Sequence, residues 1–202
     1  AKECVEIIER MNPEKYPDLH LGLITNGTAI SQKAQELLVS RQISWILVSI
    51  DAATQETFKK VRGGKLDKVL EGVCRLVELR KRMGSKWNLR IGFTVMRSNM
   101  HEAIEFADLA YGMGVDCQYT PVFGDNPENF YADQEAVERC KLIMLMLRDH
   151  LLARGGDAIR IAPVWERLAE ASRSDSLQED MCAVSFSQWK DRLARQGIKV
   201  GD

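Results

Sequence analysis

The chain carries no surplus of either charge. Its 28 lysines and arginines face 29 aspartates and glutamates, for a formal net charge of −1. Proteins that grip nucleic acid through its phosphates carry a basic excess, so no nucleic-acid partner is expected. Long apolar runs are missing too. None approaches the ~20 residues of a helical membrane span, so no membrane partner is expected. No basic-then-apolar leader opens the sequence. Cysteine is sparse: Cys4, Cys74, Cys117, Cys140 and Cys182 are scattered singly, and no CxxC or similarly tight metal-ligand spacing occurs. The odd count, with Cys74 and Cys140 inside helical patterns, speaks against a disulfide scaffold and for reduced thiols in a cytoplasmic protein. With 45% hydrophobic residues, the chain can bury a core, which excludes disorder as its main state.

What is present is alternation. Residues 19–25 (LHLGLIT), 45–50 (WILVSI), 89–96 (LRIGFTVM) and 115–122 (VDCQYTPV) are short, rich in β-branched and aromatic types, and bounded by turn residues. These are strand signals, and the strands read as nearly continuous apolar runs. Between them the apolar residues recur at helical spacing: Ile30, Ala34, Leu37 and Leu38; Leu66, Val69, Leu70, Val73 and Val77; Phe106, Leu109, Ala110 and Met113. Thr54, Glu56 and Thr57 suggest a short extra helix. Gly84 and Gly114 stand where helix C-caps stand. A further helix is expected from Asp133 to Ala153, and a fifth strand over Ala158–Ile161. The order predicts an α/β fold with a parallel sheet and right-handed crossovers. The first residue is Ala1, and a helical pattern (Val5, Ile8, Met11) begins at once, which suggests an excerpt of a longer protein.

In parallel α/β proteins ligands meet the loops after the strands' carboxyl ends. Thr25-Asn26-Gly27 closes the first strand and Ser49-Ile50-Asp51 the second. Ser49 and Asp51, two residues apart, could present a hydroxyl and a carboxylate together, suited to a ribose or an amino group. Thr94, Arg97 and Asn99 follow the third strand, Tyr119 and Thr120 end the fourth. Each motif also has a plain structural use: Asn-Gly makes a turn, and Ser and Asp cap helices.

Together the motifs are more specific. Ile24-Thr25-Asn26-Gly27, Val48-Ser49-Ile50-Asp51-Ala52-Ala53-Thr54, Val61-Arg62-Gly63-Gly64, Val95-Met96-Arg97-Ser98-Asn99-Met100-His101-Glu102 and Gly114-Val115 resemble the corresponding segments of radical S-adenosylmethionine (SAM) enzymes. The resemblance is greatest to those with a C-terminal auxiliary iron–sulfur domain of the SPASM or twitch type, and covers roughly residues 15–125. It implies a partly open (β/α) barrel, of which strands three to six lie in residues 1–154. Residues 155–202 are then a C-terminal helical extension in which an auxiliary-cluster domain could begin, with Cys182 inside it. It implies that SAM lies across the strand ends. Ser49 and Asp51 match positions used on the SAM ribose or carboxylate. Thr25 and Asn26 match the floor of that pocket, and Arg62 and Asn99 match recurring positions near it.

The departures bear on activity. The family's CxxxCxxC loop for the catalytic [4Fe–4S] cluster and its Gly-Gly-Glu turn are both absent from this sequence. Three closely spaced thiolates are needed to leave one iron open for SAM. The expectation is therefore a fragment of a radical SAM enzyme. The full-length form would cleave SAM reductively to a 5′-deoxyadenosyl radical and abstract hydrogen from a small-molecule or peptide substrate. The fragment alone would be inactive and hold neither SAM cluster nor metal. The alternative is a cluster-free α/β binding module for an adenosyl-type ligand or a protein partner. A phosphate-binding barrel enzyme lacks its Gly-rich loop here. The strand at 19–25, apolar and without Pro or Lys, would form an exposed sheet edge that pairs two chains as a homodimer.

Overall fold

The computed structural model describes residues 21–27, 43–84 and 87–172, together with Glu6, Arg10 and Glu36 as isolated helical positions. The helices expected at the N-terminus and over Ile30–Leu38, and the segment holding Cys182, lie outside the described residues. Four strands form one sheet: β1 (Gly22–Thr25), β2 (Trp45–Ser49), β3 (Asn88–Val95) and β4 (Asp116–Pro121), in that spatial order. Every neighbouring pair is parallel. Five helices appear among the described residues: α1 (Gln55–Val61), α2 (Leu66–Arg82), α3 (Ala103–Met113), α4 (Gln134–Ala153) and α5 (Ala162–Ala171). This is the expected α/β architecture with a parallel sheet, and each strand's carboxyl end lies on the same edge.

The strands are not uniformly apolar. Along β2, β3 and β4 one side chain in two is buried: Ile46, Val48, Leu89, Ile91, Phe93, Val95, Cys117 and Tyr119. This face meets the helices. The opposite face, with Trp45, Leu47, Ser49, Asn88, Arg90, Thr94, Asp116, Gln118 and Thr120, is only half-buried. Parallel strands read as continuous runs when both faces are covered; here alternation marks a sheet whose second face is open among the described residues.

Aromatic packing fixes α3 to the sheet. Phe106 lies 4.8 Å from Phe93 and 6.0 Å from Tyr119, ring centre to ring centre. The buried Tyr119 hydroxyl donates to the Ala103 carbonyl at 2.7 Å, which satisfies a polar atom that would otherwise be costly in this core. Gly114 then ends α3 in the left-handed region at φ 67°, as a residue without Cβ readily does. The loop after β1 packs on α2 through two glycines. A Cβ on Gly72 would stand 2.7 Å from the Gly27 carbonyl oxygen, and one on Gly27 2.8 Å from Val48 Cγ1.

Residues 158–161 form a 3₁₀ turn, not a fifth strand. Asp157 accepts from the Ile159 N–H at 2.9 Å, and Pro163 sits in the first turn of α5, where its missing N–H costs nothing. Local capping chemistry thus overrides the β-branched pattern. Val164, Trp165 and Leu168 of α5 are buried in the same core as the sheet.

Candidate functional site

The carboxyl ends of β2 and β3 are joined by a dense polar hub. Beyond Ser49 the chain leaves the strand, and the N–H groups of Ile50 and Asp51 both donate to the Gly92 carbonyl, at 3.0 and 3.1 Å. Asp51 adopts the left-handed conformation, φ 62°, the sole non-glycine residue with positive φ among those described. Aspartate tolerates this region better than most side chains. The turn sends its carboxylate inward, to 2% exposure. One oxygen accepts from the Thr94 N–H at 2.6 Å, and the other is paired with the Arg62 guanidinium.

Asn99 is fully buried and completes the hub. Its Nδ2 donates to the carbonyls of Asp51 (2.9 Å) and Thr94 (2.8 Å), while its Oδ1 accepts from the Met96 N–H at 2.8 Å. An amide suits this place because it offers two donors and an acceptor at one point. Glu102, 5% exposed, reaches from the 3₁₀ turn Met100–Glu102 to the start of α1. It accepts from the N–H groups of Ala53 (2.7 Å) and Thr54 (3.2 Å) and from the Thr54 hydroxyl (2.5 Å). That hydroxyl in turn accepts from the Thr57 N–H and so caps α1. Burial pushes the Glu102 carboxyl up, but hydrogen bonds from Thr54, Thr57 and the backbone outweigh it and leave it below the ordinary carboxylate value. The short helix α1 is thus pinned at its start by Glu102 and at its end, through Arg62, by Asp51.

Of the six residues singled out in the sequence, the fold brings Asp51, Arg62 and Asn99 into this hub. Ser49 stands beside it on the open face, opposite Gly92 in the register. Its hydroxyl has no hydrogen-bond partner among the described residues and is left facing a position where the neighbouring strand has no side chain. Thr25 pairs in register with Val48, and so lies on the helix-covered side, away from Ser49. Its Oγ1 accepts from the Gly27 N–H at 3.2 Å, a local turn bond. Asn26 follows at the exposed strand end. Ser49 and Asp51 do not form one projecting pair, because the strand ends between them and Asp51 turns into the interior.

Glu102 has the largest role not singled out in advance. Its contact to Ala53 spans 49 positions of sequence, and only the fold brings the two together. His101 is exposed in the 3₁₀ turn, which has no side-chain cap. A cavity of about 370 Å³ lies between the loop after β4 and α5, lined by Asn129, Tyr131 and Arg167 among others. It contains none of the hub residues, and the hub, with its converging strand ends, is the better candidate.

No protein-family model matches the chain. Among curated proteins it is similar to the probable GTP 3′,8-cyclases of Saccharolobus solfataricus and Saccharolobus islandicus. Each is 28% identical over 116 residues, covering 57% of this chain and 35% of the relative. The chain therefore spans about a third of the length of these relatives. Among solved structures, Streptococcus suis SuiB bound to S-adenosylmethionine shares the fold at a TM-score of 0.58 and 14% identity, over 76% of this chain and 33% of that one. ITNG, VSID and SNMHE thus stand at the carboxyl ends of three consecutive parallel strands, in a fold similar to that of an S-adenosylmethionine-bound protein and a sequence similar to that of probable GTP 3′,8-cyclases.

Proposed function

We propose that this chain is the part of a radical SAM enzyme that holds S-adenosylmethionine across the strand ends and lines one wall of the substrate cavity. When bound, SAM and a [4Fe–4S] cluster supply the reductive cleavage to a 5′-deoxyadenosyl radical that abstracts hydrogen from a substrate. The observation that carries the reading is the unpartnered Ser49 hydroxyl at the mouth of the open face, beside a hub that rigidly sets the strand ends. A hydroxyl that can donate and accept suits a ribose or a carboxylate. Asp51, Arg62 and Asn99 act as positioning residues: their polar atoms are engaged with one another and with backbone, and they hold the level at which a ligand meets Ser49.

The described cysteines do not fit a cluster: Cys74 is exposed on α2 and belongs to no group of potential ligands among the described residues. Cys117 and Cys140 are buried, and burial pushes both thiols up, Cys140 to about 12, so neither offers a thiolate. Among the described residues no group of three His, Cys, Asp or Glu could hold a metal ion. On this reading the cluster ligands belong to another part of the parent protein, an oxidoreductase of the cytoplasm, and the present chain alone is inactive. No helix of the described residues is long and apolar enough to cross a membrane. The reading includes self-association through β1, which ends the sheet and exposes 63% of Ile24.

The experiment is amide mapping by NMR on the ¹⁵N-labelled chain titrated with SAM. The expected shifts centre on Ser49, Gly92 and Thr94. Shifts confined to the helix-covered face, or none at millimolar SAM, would overturn the reading.

A further inference from the structure

The open face of the sheet carries an arginine that forms no ion pair with a carboxylate among the described residues. The register sets its levels: Leu47, Arg90 and Asp116 lie side by side, and Ser49, Gly92 and Gln118 form the next level toward the strand ends. Asp116 and Arg90 are the two charged side chains on this face of β2, β3 and β4. Asp116 is already paired, with Arg160 at 2.8 Å. Arg90 pairs with no carboxylate among the described residues. Its Nε donates to Asn88 Oδ1 at 3.2 Å and its Nη1 to Gln118 Oε1 at 3.3 Å. Two neutral amides therefore aim the guanidinium across the face without cancelling its charge, and Nη2 is left without a partner among the described residues. A half-buried guanidinium with a free donor gains by taking up a counter-charge. A planar guanidinium with unused donors matches a carboxylate or phosphate, which can take two parallel hydrogen bonds.

We propose that Arg90, oriented by Asn88 and Gln118, is the binding site for an oxyanion of the substrate, a carboxylate or a phosphate group. The proposal rests on the radical SAM reading above. It goes beyond that reading by naming the substrate class as anionic and the wall that receives it. Depth separates substrate from cofactor. Arg90 is two residues before Gly92, the partner of Ser49, and so lies roughly 6–7 Å further into the sheet than the Ser49 level. A ligand held at the strand ends leaves that deeper level to a second molecule.

The test uses the 202-residue chain and three probes: inorganic pyrophosphate, succinate and SAM. Affinities are measured by calorimetry at low salt for the natural chain, Arg90→Lys and Arg90→Gln, after circular dichroism has shown that each variant folds. The natural chain is expected to bind one of the two anions. Arg90→Gln should weaken that binding roughly tenfold or more, with Arg90→Lys in between because it keeps the charge and loses the fork. SAM affinity should stay unchanged in both. Preference for pyrophosphate identifies a phosphate substrate group, and preference for succinate a carboxylate. Neither anion binding the natural chain, or Arg90→Gln binding it equally well, overturns the proposal. So does loss of SAM affinity in Arg90→Gln, which would assign the guanidinium to the cofactor's own carboxylate. Arg90-dependent anion binding with no SAM binding by the natural chain would instead sink the radical SAM reading and leave the anion site standing.

Discussion

Asp51 shows how one residue can join two elements from the interior at the strand ends. Its φ of 62° costs about 1 kcal/mol for an ordinary side chain and less for Asp or Asn. The return is a carboxylate that ties β3 to α1 through the Thr94 N–H and Arg62. Asp51→Ala removes both contacts and keeps the unfavourable backbone, so it should cost about 2–4 kcal/mol in urea denaturation. Asp51→Asn retains an acceptor and tolerates the same conformation, so its loss should be about half as large or less. Glu102 gives a pH signature. Its carboxyl is depressed below the ordinary 4.5 in the folded chain, so the folded state binds its proton less readily than the unfolded one. Its contribution is fully present above that ordinary value and is lost as the pH falls through the depressed one. Melting temperature followed from neutral pH downward should therefore fall more steeply below 4.5 in the natural chain than in Glu102→Gln. Parallel curves would mean that Glu102 carries no such linkage.

At the scale of elements, boundaries were largely legible and connections were not. The strands appear where β-branched runs end in turn residues, and α3 ends at Gly114 as its position suggests. These features are local, and a local pattern suffices for them. The hub was only half legible. Asn99 and Asp51 were visible as polar residues at strand ends, but their contact to each other crosses 48 positions. Arg90 was hidden for another reason. Read as one apolar run, LRIGFTVM conceals the alternation that puts Arg90 and Thr94 on one face and Leu89, Ile91 and Phe93 on the other. The seat of the β1 loop on α2 yields a prediction with competing signs. Gly72→Ala should gain about 1 kcal/mol from helix propensity. Its methyl would meet the Gly27 carbonyl at 2.7 Å, and overpacking against backbone costs roughly 1–3 kcal/mol. The net expectation is a lower melting temperature; a higher one would show that the loop yields freely.

For the molecule as a whole, the sheet has two edges among the described residues, β1 and β4, and α5 and the 3₁₀ turn before it cover β4. The β1 edge leaves Ile24 exposed, and an edge of this kind pairs readily with a second copy. Light scattering over a range of concentrations should give a mass that rises toward the dimer. A constant mass near 22.9 kDa would contradict pairing through β1. Under the proposed function the strand ends bind SAM, with Ser49 as the contact and Asp51 and Asn99 holding it in place. Calorimetric titration of SAM into the natural chain and into Ser49→Ala tests it most directly, because the Ser49 hydroxyl has no hydrogen-bond partner among the described residues whose loss would disturb stability. The account predicts measurable binding to the natural chain and affinity weakened about threefold to tenfold in Ser49→Ala, the share of one hydrogen bond. Equal heats and equal affinities for the two proteins would contradict it.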